Sequence, residues 1–134
     1  MSLERYEVQR TVGSQDIDEL DHVNNVVYLQ WIMDIAQEHW RILSTEALRK
    51  SISWVVLRHE IDYHRSARLH DQIIVSTWVG ETSGVRSIRH VEILDQQRRK
   101  IVSAKTAYCC IDTVSFRPMR ISEEIMSLLN PERN

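Results

Sequence analysis

The chain has 134 residues, 43% of them hydrophobic, with 17 basic against 19 acidic side chains and a net charge of −2. That is enough apolar material to build one ordinary domain over residues 1–134. The mixed charges form no basic tract, which excludes a nucleic-acid footprint and a membrane-adhesive face. No apolar run is long enough to span a bilayer, and Met1-Ser2-Leu3-Glu4-Arg5 has no leader core, so a cytoplasmic location is expected.

In chain order, Arg5 to Val12 alternates weakly and reads as a first strand, broken by Gly13 and Ser14. From Val26 to about Leu43 the period changes. Gln30, Asp34, Gln37, Glu38 and Arg41 make one polar stripe, and apolar or aromatic residues cover the rest, the pattern of a mostly buried helix. Asn24 or Asn25 is its natural N-cap. A turn region spans Ser44 to Ser51, and four strand-like segments follow: Trp54 to His64, Gln72 to Gly80, Val85 to Asp95 and Lys100 to Asp112.

Within Trp54 to His64, Val55, Leu57, Ile61 and Tyr63 share one parity, and Arg58, Glu60, Asp62 and His64 the other. The breaks between strands, such as Arg68-Leu69-His70-Asp71, are short, which implies antiparallel neighbours. Ser122 to Leu129 reads as a short amphipathic helix ended by Asn130-Pro131. The order is β-α-β-β-β-β with a short C-terminal helix, an α+β domain in which an antiparallel sheet of about five strands covers one long helix.

Chemistry concentrates just before that helix, in Asp16-Ile17-Asp18-Glu19-Leu20-Asp21-His22-Val23-Asn24-Asn25-Val26-Val27-Tyr28. A helix start offers unpaired N–H groups and the positive end of a dipole, suited to a carbonyl oxygen that becomes negative. Elsewhere the signals are weak. Cys109 and Cys110 are strand neighbours whose side chains point to opposite faces, so they read as packing thiols. The six histidines are scattered and three glycines make no phosphate loop, so neither a metal site nor a bound cofactor is expected.

The pattern Asp-x-Asp-x-x-x-His-Val-Asn-Asn-x-x-Tyr, followed by a long helix and then strands, resembles the acyl-CoA and acyl-carrier-protein thioesterases of the hotdog fold, in the 4-hydroxybenzoyl-CoA thioesterase-like branch. The resemblance covers nearly the whole chain, with one departure: Asp21 stands where many relatives have Gly.

The resemblance implies a hydrolase of acyl-CoA or acyl-carrier-protein thioesters. Asp18 would be nucleophile or general base, or else only a loop cap. His22 would orient Asp18, hold a water or carry a proton, or else only bond the loop. Backbone amides of Val23, Asn24, Asn25 and Val26 would hold the oxyanion, the two Asn side chains capping the helix. Tyr28 and Trp31 are core residues or acyl-pocket walls, with Trp54, Trp78 and Tyr108 read the same way. Arg58, Arg86 and Arg89 are solvated strand charges or grips for the phosphates of coenzyme A or a carrier arm. A homodimer or homotetramer is expected, the Trp54 to His64 strand pairing with its twin. A hydratase or dehydratase on acyl thioesters, and a domain that binds acyl thioesters without turnover, stand as alternatives.

Overall fold

The computed structural model describes residues 5–131. The leader reading of Met1 to Glu4 therefore lies outside the described residues. Five strands are present: β1 (Tyr6–Thr11), β2 (Ile52–Tyr63), β3 (Gln72–Ser83), β4 (Arg86–Leu94) and β5 (Lys100–Asp112). Three α-helices accompany them: α1 (Asn25–Leu43), α2 (Glu46–Ser51) and α3 (Glu123–Leu129). One sheet holds all five strands in the order β1-β3-β4-β5-β2, every pair antiparallel. Among the described residues no helix is long and apolar enough to cross a membrane.

Helix α1 forms where the stripe requires it. Tyr28, Trp31, Ile32, Ile35, Ala36 and His39 are buried against the sheet, while Gln30, Gln37, Glu38 and Arg41 are exposed. Asn24 is the N-cap, its Oδ1 accepting from the Val26 N–H at 2.9 Å. The supposed turn region after α1 is a second short helix, capped by Thr45, whose Oγ1 accepts from the Leu48 N–H at 3.1 Å. Six residues are too few to show helical periodicity, so only the cap was there to be read.

Two strand expectations are corrected. Strands β2 and β3 are not neighbours: β2 pairs with β5 and β3 lies between β1 and β4. The link between them is a crossing rather than a hairpin, because its buried Ala67 docks on the loop and helix across the sheet. The single parity expected along β2 also fails. Its pairing with β5 slips between Val56 and Arg58, leaving Leu57 unmatched as a bulge. One extra residue reverses the facing of all that follows, so Val55 and Leu57 are 44% and 51% exposed while Ile61 packs on the core.

The core divides along α1. One cluster lies under the first half of the helix and gathers Tyr28, Trp31, Ile32 and Ile35 with Val75, Val91 and Val102 from the sheet. A second lies under its end, where Ile52, Val79, Cys110, Ile125 and Leu129 meet Trp40 and Trp54. Both cysteines are buried and free, as packing thiols would be. Burial pushes the Cys110 thiol up to about 11, which keeps it protonated.

Candidate active site

The loop before α1 is folded by its own backbone. Ile17 and Val23 form an isolated antiparallel bridge, and inside it the Asp18 N–H donates to the His22 carbonyl at 2.8 Å. The Asp18 carboxylate closes the turn: Oδ1 accepts from the Leu20 N–H at 2.9 Å and the His22 N–H at 3.4 Å. Its Oδ2 has no hydrogen-bond partner among the described residues. One oxygen thus fixes the side chain and the other stays available.

Asp21 sits at φ 61°, in the left-handed region. Only glycine enters that region without strain, and a short Asp or Asn enters it at modest cost. An Asp where many relatives have Gly is therefore compatible with the turn, and Asp21 is exposed.

The expectation of four oxyanion amides narrows. The Val23 N–H donates to the Ala67 carbonyl at 2.9 Å, the Asn24 N–H to the Asp16 carbonyl at 3.0 Å, and the Val26 N–H to Asn24 Oδ1. Only the Asn25 N–H is left without a partner among the described residues. Ala67, the bridge and the cap have taken the rest.

Asp18, His22, Asn24, Asn25 and Tyr28 line one cleft of about 390 Å³. Its other wall is the segment leaving β2: Tyr63, His64, Arg65 and Ser66. That wall had no signal in the sequence, because it reaches the loop only through Ala67, which bonds Val23 with its carbonyl and donates its N–H to the Tyr28 hydroxyl at 3.1 Å. Tyr28 is buried at the cleft floor, edge-on to Trp31. Trp31 belongs to the core cluster and is not among the residues lining this cleft. The His22 ring makes no hydrogen bond among the described residues; its link to Asp18 runs through the backbone.

The three arginines expected at phosphates separate. Arg58 is exposed and paired with Glu60 at 2.7 Å, and Arg86 is exposed at the start of β4. Arg89 is only 6% exposed and points inward, so it does not grip a phosphate at a solvated rim. Its Nη1 donates to His39 Nδ1 at 2.8 Å and to Thr77 Oγ1 at 3.1 Å. A ring nitrogen that accepts from a guanidinium carries no proton, so His39 is the neutral tautomer protonated on Nε2. Burial, reinforced by Arg89, drives its pKa down to about 4.

Arg89 borders a second cavity of about 300 Å³, between the end of α1 and the start of β2, lined by Ala36, Trp40, Ile52, Trp54, Tyr108 and others. The cleft and this cavity flank opposite ends of β2.

With this geometry in place, the comparisons give the class. Residues 4–129 match the family model described as the acyl-ACP thioesterase N-terminal domain. The chain belongs to that family, a family of thioester hydrolases, and its fold is the hotdog fold. Among solved structures it is similar to a 1,4-dihydroxy-2-naphthoyl-CoA thioesterase from Synechocystis, with TM-score 0.81, 15% identity, and 94% of this chain and 96% of that chain covered. It is similar as well to the YbaW probable thioesterase from Escherichia coli, with TM-score 0.81, 21% identity, and 92% and 95% covered. A Staphylococcus aureus protein solved in complex with CoA aligns with TM-score 0.84 and 14% identity over 96% of this chain and 83% of that one. No curated protein matches the sequence.

Two outcomes follow from the local geometry. Asp21→Gly removes the left-handed strain at a small entropic cost and should raise stability by about 0.5–1 kcal/mol. The urea midpoint, read with an unchanged slope, measures it, and an unchanged or lower midpoint contradicts the turn assignment. For His39 the folded pKa of about 4 lies below the ordinary 6.5, so the unfolded chain takes up the proton first as pH falls. The stability tied to the neutral ring is complete above about pH 6.5 and is lost on the way down to about pH 4, a change on the order of 3 kcal/mol. The stability difference between wild type and His39→Gln should shrink by that amount across this window; a difference flat in pH would contradict a neutral buried ring.

Proposed function

We propose that the cleft at the start of α1 hydrolyses acyl thioesters of coenzyme A or of an acyl carrier protein. The observation that carries this reading is the pairing, in one cleft, of a carboxylate fixed through Oδ1 with the single helix-mouth amide that is unspent, Asn25 N–H. A thioester needs little more: a nucleophile or oriented water, and a donor for the oxyanion.

The carbonyl oxygen accepts from Asn25 N–H, where the positive end of the helix dipole adds to the attraction. Asp18 Oδ2 either attacks the carbonyl carbon or takes a proton from a water that attacks it. The tetrahedral intermediate then collapses, the C–S bond breaks, and the thiolate takes up a proton, for which the unengaged His22 ring is placed in the same cleft. Direct attack by Asp18 leaves a mixed anhydride, which one water then opens to release the free acid and restore the Asp18 carboxylate. At the cleft edge the exposed Arg65 is available to the phosphates of the carrier arm, a role the sequence had suggested for other arginines.

We further infer that the working unit is at least a dimer. Strand β2 is twelve residues long, lies at the sheet edge, and exposes Val55 and Leu57 beside a row of unpaired backbone groups. Such an edge is usually covered. If β2 pairs antiparallel with its twin, the Tyr63 end of one strand lies beside the Ile52 end of the other. The Asp18 cleft of one subunit then opens next to the apolar cavity of its partner, and the acyl chain passes from the first into the second.

Asp18→Asn is the informative substitution, because the amide Oδ1 can still accept from Leu20 and His22 while the charge is gone. Free-thiol release from acyl-CoA substrates should fall at least about a hundredfold with the melting curve retained; retained turnover overturns the role of Asp18. Sedimentation equilibrium should give at least twice the 15.8 kDa chain mass. A fully active monomer overturns the shared chamber.

A further inference from the structure

Most of the second cavity is what an acyl chain needs. Trp40, Trp54, Val79 and Leu129 give it an apolar wall. Its charged lining is not: Arg49 and Arg89 border it, and no Asp or Glu does. Arg49 is only half-buried, so water serves its remaining donors, and its Nη1 donates to the Ser44 carbonyl at 2.6 Å and to the Arg41 carbonyl at 3.1 Å, the acceptors left over at the end of α1.

Arg89 is buried and has no such access to bulk water. Both of its side-chain hydrogen bonds leave from Nη1 and go to neutral groups, and no carboxylate lies within ion-pair distance among the described residues. Nε and Nη2 make no hydrogen bond there either. Yet no side-chain nitrogen or oxygen among the described residues is both sealed from solvent and without a partner. The remaining donors of Arg89 therefore touch the open volume of the cavity.

A buried guanidinium facing neutral partners is costly, and an apolar residue of similar size would fill the place more cheaply if packing were the only requirement. Burial brings its pKa down to about 10, which still leaves it charged at neutral pH. His39 and Thr77 hold Nη1 so that the planar group presents its other edge to the cavity, the edge suited to a carboxylate.

We propose that this cavity binds the carboxylate at the far end of an acyl chain, so that the preferred substrates are mono-thioesters of dicarboxylic acids. The inference rests on the thioesterase reading for the reacting end of the substrate, while the binding of the far end stands on Arg89 and on the β2-paired dimer inferred above. In the β2-paired dimer the thioester sits at Asp18 of one subunit and the carboxylate at Arg89 of the other. The apolar walls between them take the methylenes.

The test uses the Asp18→Asn chain, whose turn bonds are kept, and measures affinity by titration calorimetry. Adipoyl-, suberoyl- and sebacoyl-CoA are compared with hexanoyl-, octanoyl- and decanoyl-CoA. At the best-fitting length the dicarboxylic thioester should bind at least about tenfold more tightly, and adding Arg89→Met should remove that preference. Arg89→Lys, which keeps the charge and loses the fork, should restore part of it. Equal or tighter binding of the plain acyl thioester at all three lengths overturns the proposal, and so does a preference that survives Arg89→Met. If Arg89→Met does not fold, the comparison in Asp18→Asn alone still decides. Should the wild-type chain release no thiol from any of the six, the thioesterase reading fails, while the affinity comparison still judges the carboxylate site.

Discussion

Two hydrogen bonds at Ala67 hold the functional end of the molecule together. Its carbonyl takes the Val23 N–H and its own N–H reaches the Tyr28 hydroxyl, all inside a site closed to water. A fully buried backbone unit must be paired, and here the pairing joins three separate stretches: the reacting loop, the first turn of α1, and the chain leaving β2. The cleft exists because of that union. Without it the loop has one wall, and the link from β2 has no reason to cross the sheet instead of turning back as a hairpin.

The same competition for hydrogen bonds explains which groups are left for chemistry. A loop preceding a helix has several N–H groups to spend, and a stable fold spends nearly all of them. Asp18 uses one carboxylate oxygen to hold its own turn, Asn24 uses its side chain on Val26, and the Ala67 carbonyl takes the Val23 N–H. Stability and reactivity draw on one set of donors, and the reactive corner is what the fold leaves over.

The sequence showed the elements well because each rests on local periodicity. The α1 stripe, its Asn24 cap, the five strands and the short helix α3 all appear near their expected places. What it did not show depends on distance or on counting. Leu57 looks like any alternating residue until it is left without a partner in β5 and reverses the strand behind it. The neighbours of β2 depend on where Ala67 docks, which no spacing encodes. Arg89 shares the parity of Val91 and Ile93 in its strand and was read for its charge; its cross-strand neighbours, Val79 and Thr106, follow only from the register. In the candidate site, Asp18, His22 and the helix mouth were visible as a motif, whereas Arg65 and Tyr63 joined it purely through the fold.

The split of the core has an evolutionary consequence. The cluster under the first half of α1 supports the loop before that helix, and the one under its second half surrounds the apolar cavity. Side chains in the latter can be exchanged for larger, smaller or more polar ones with little repacking of the former. The lining of that cavity can therefore vary while the loop before α1 stays mechanically insulated, which lets one architecture carry many different interiors.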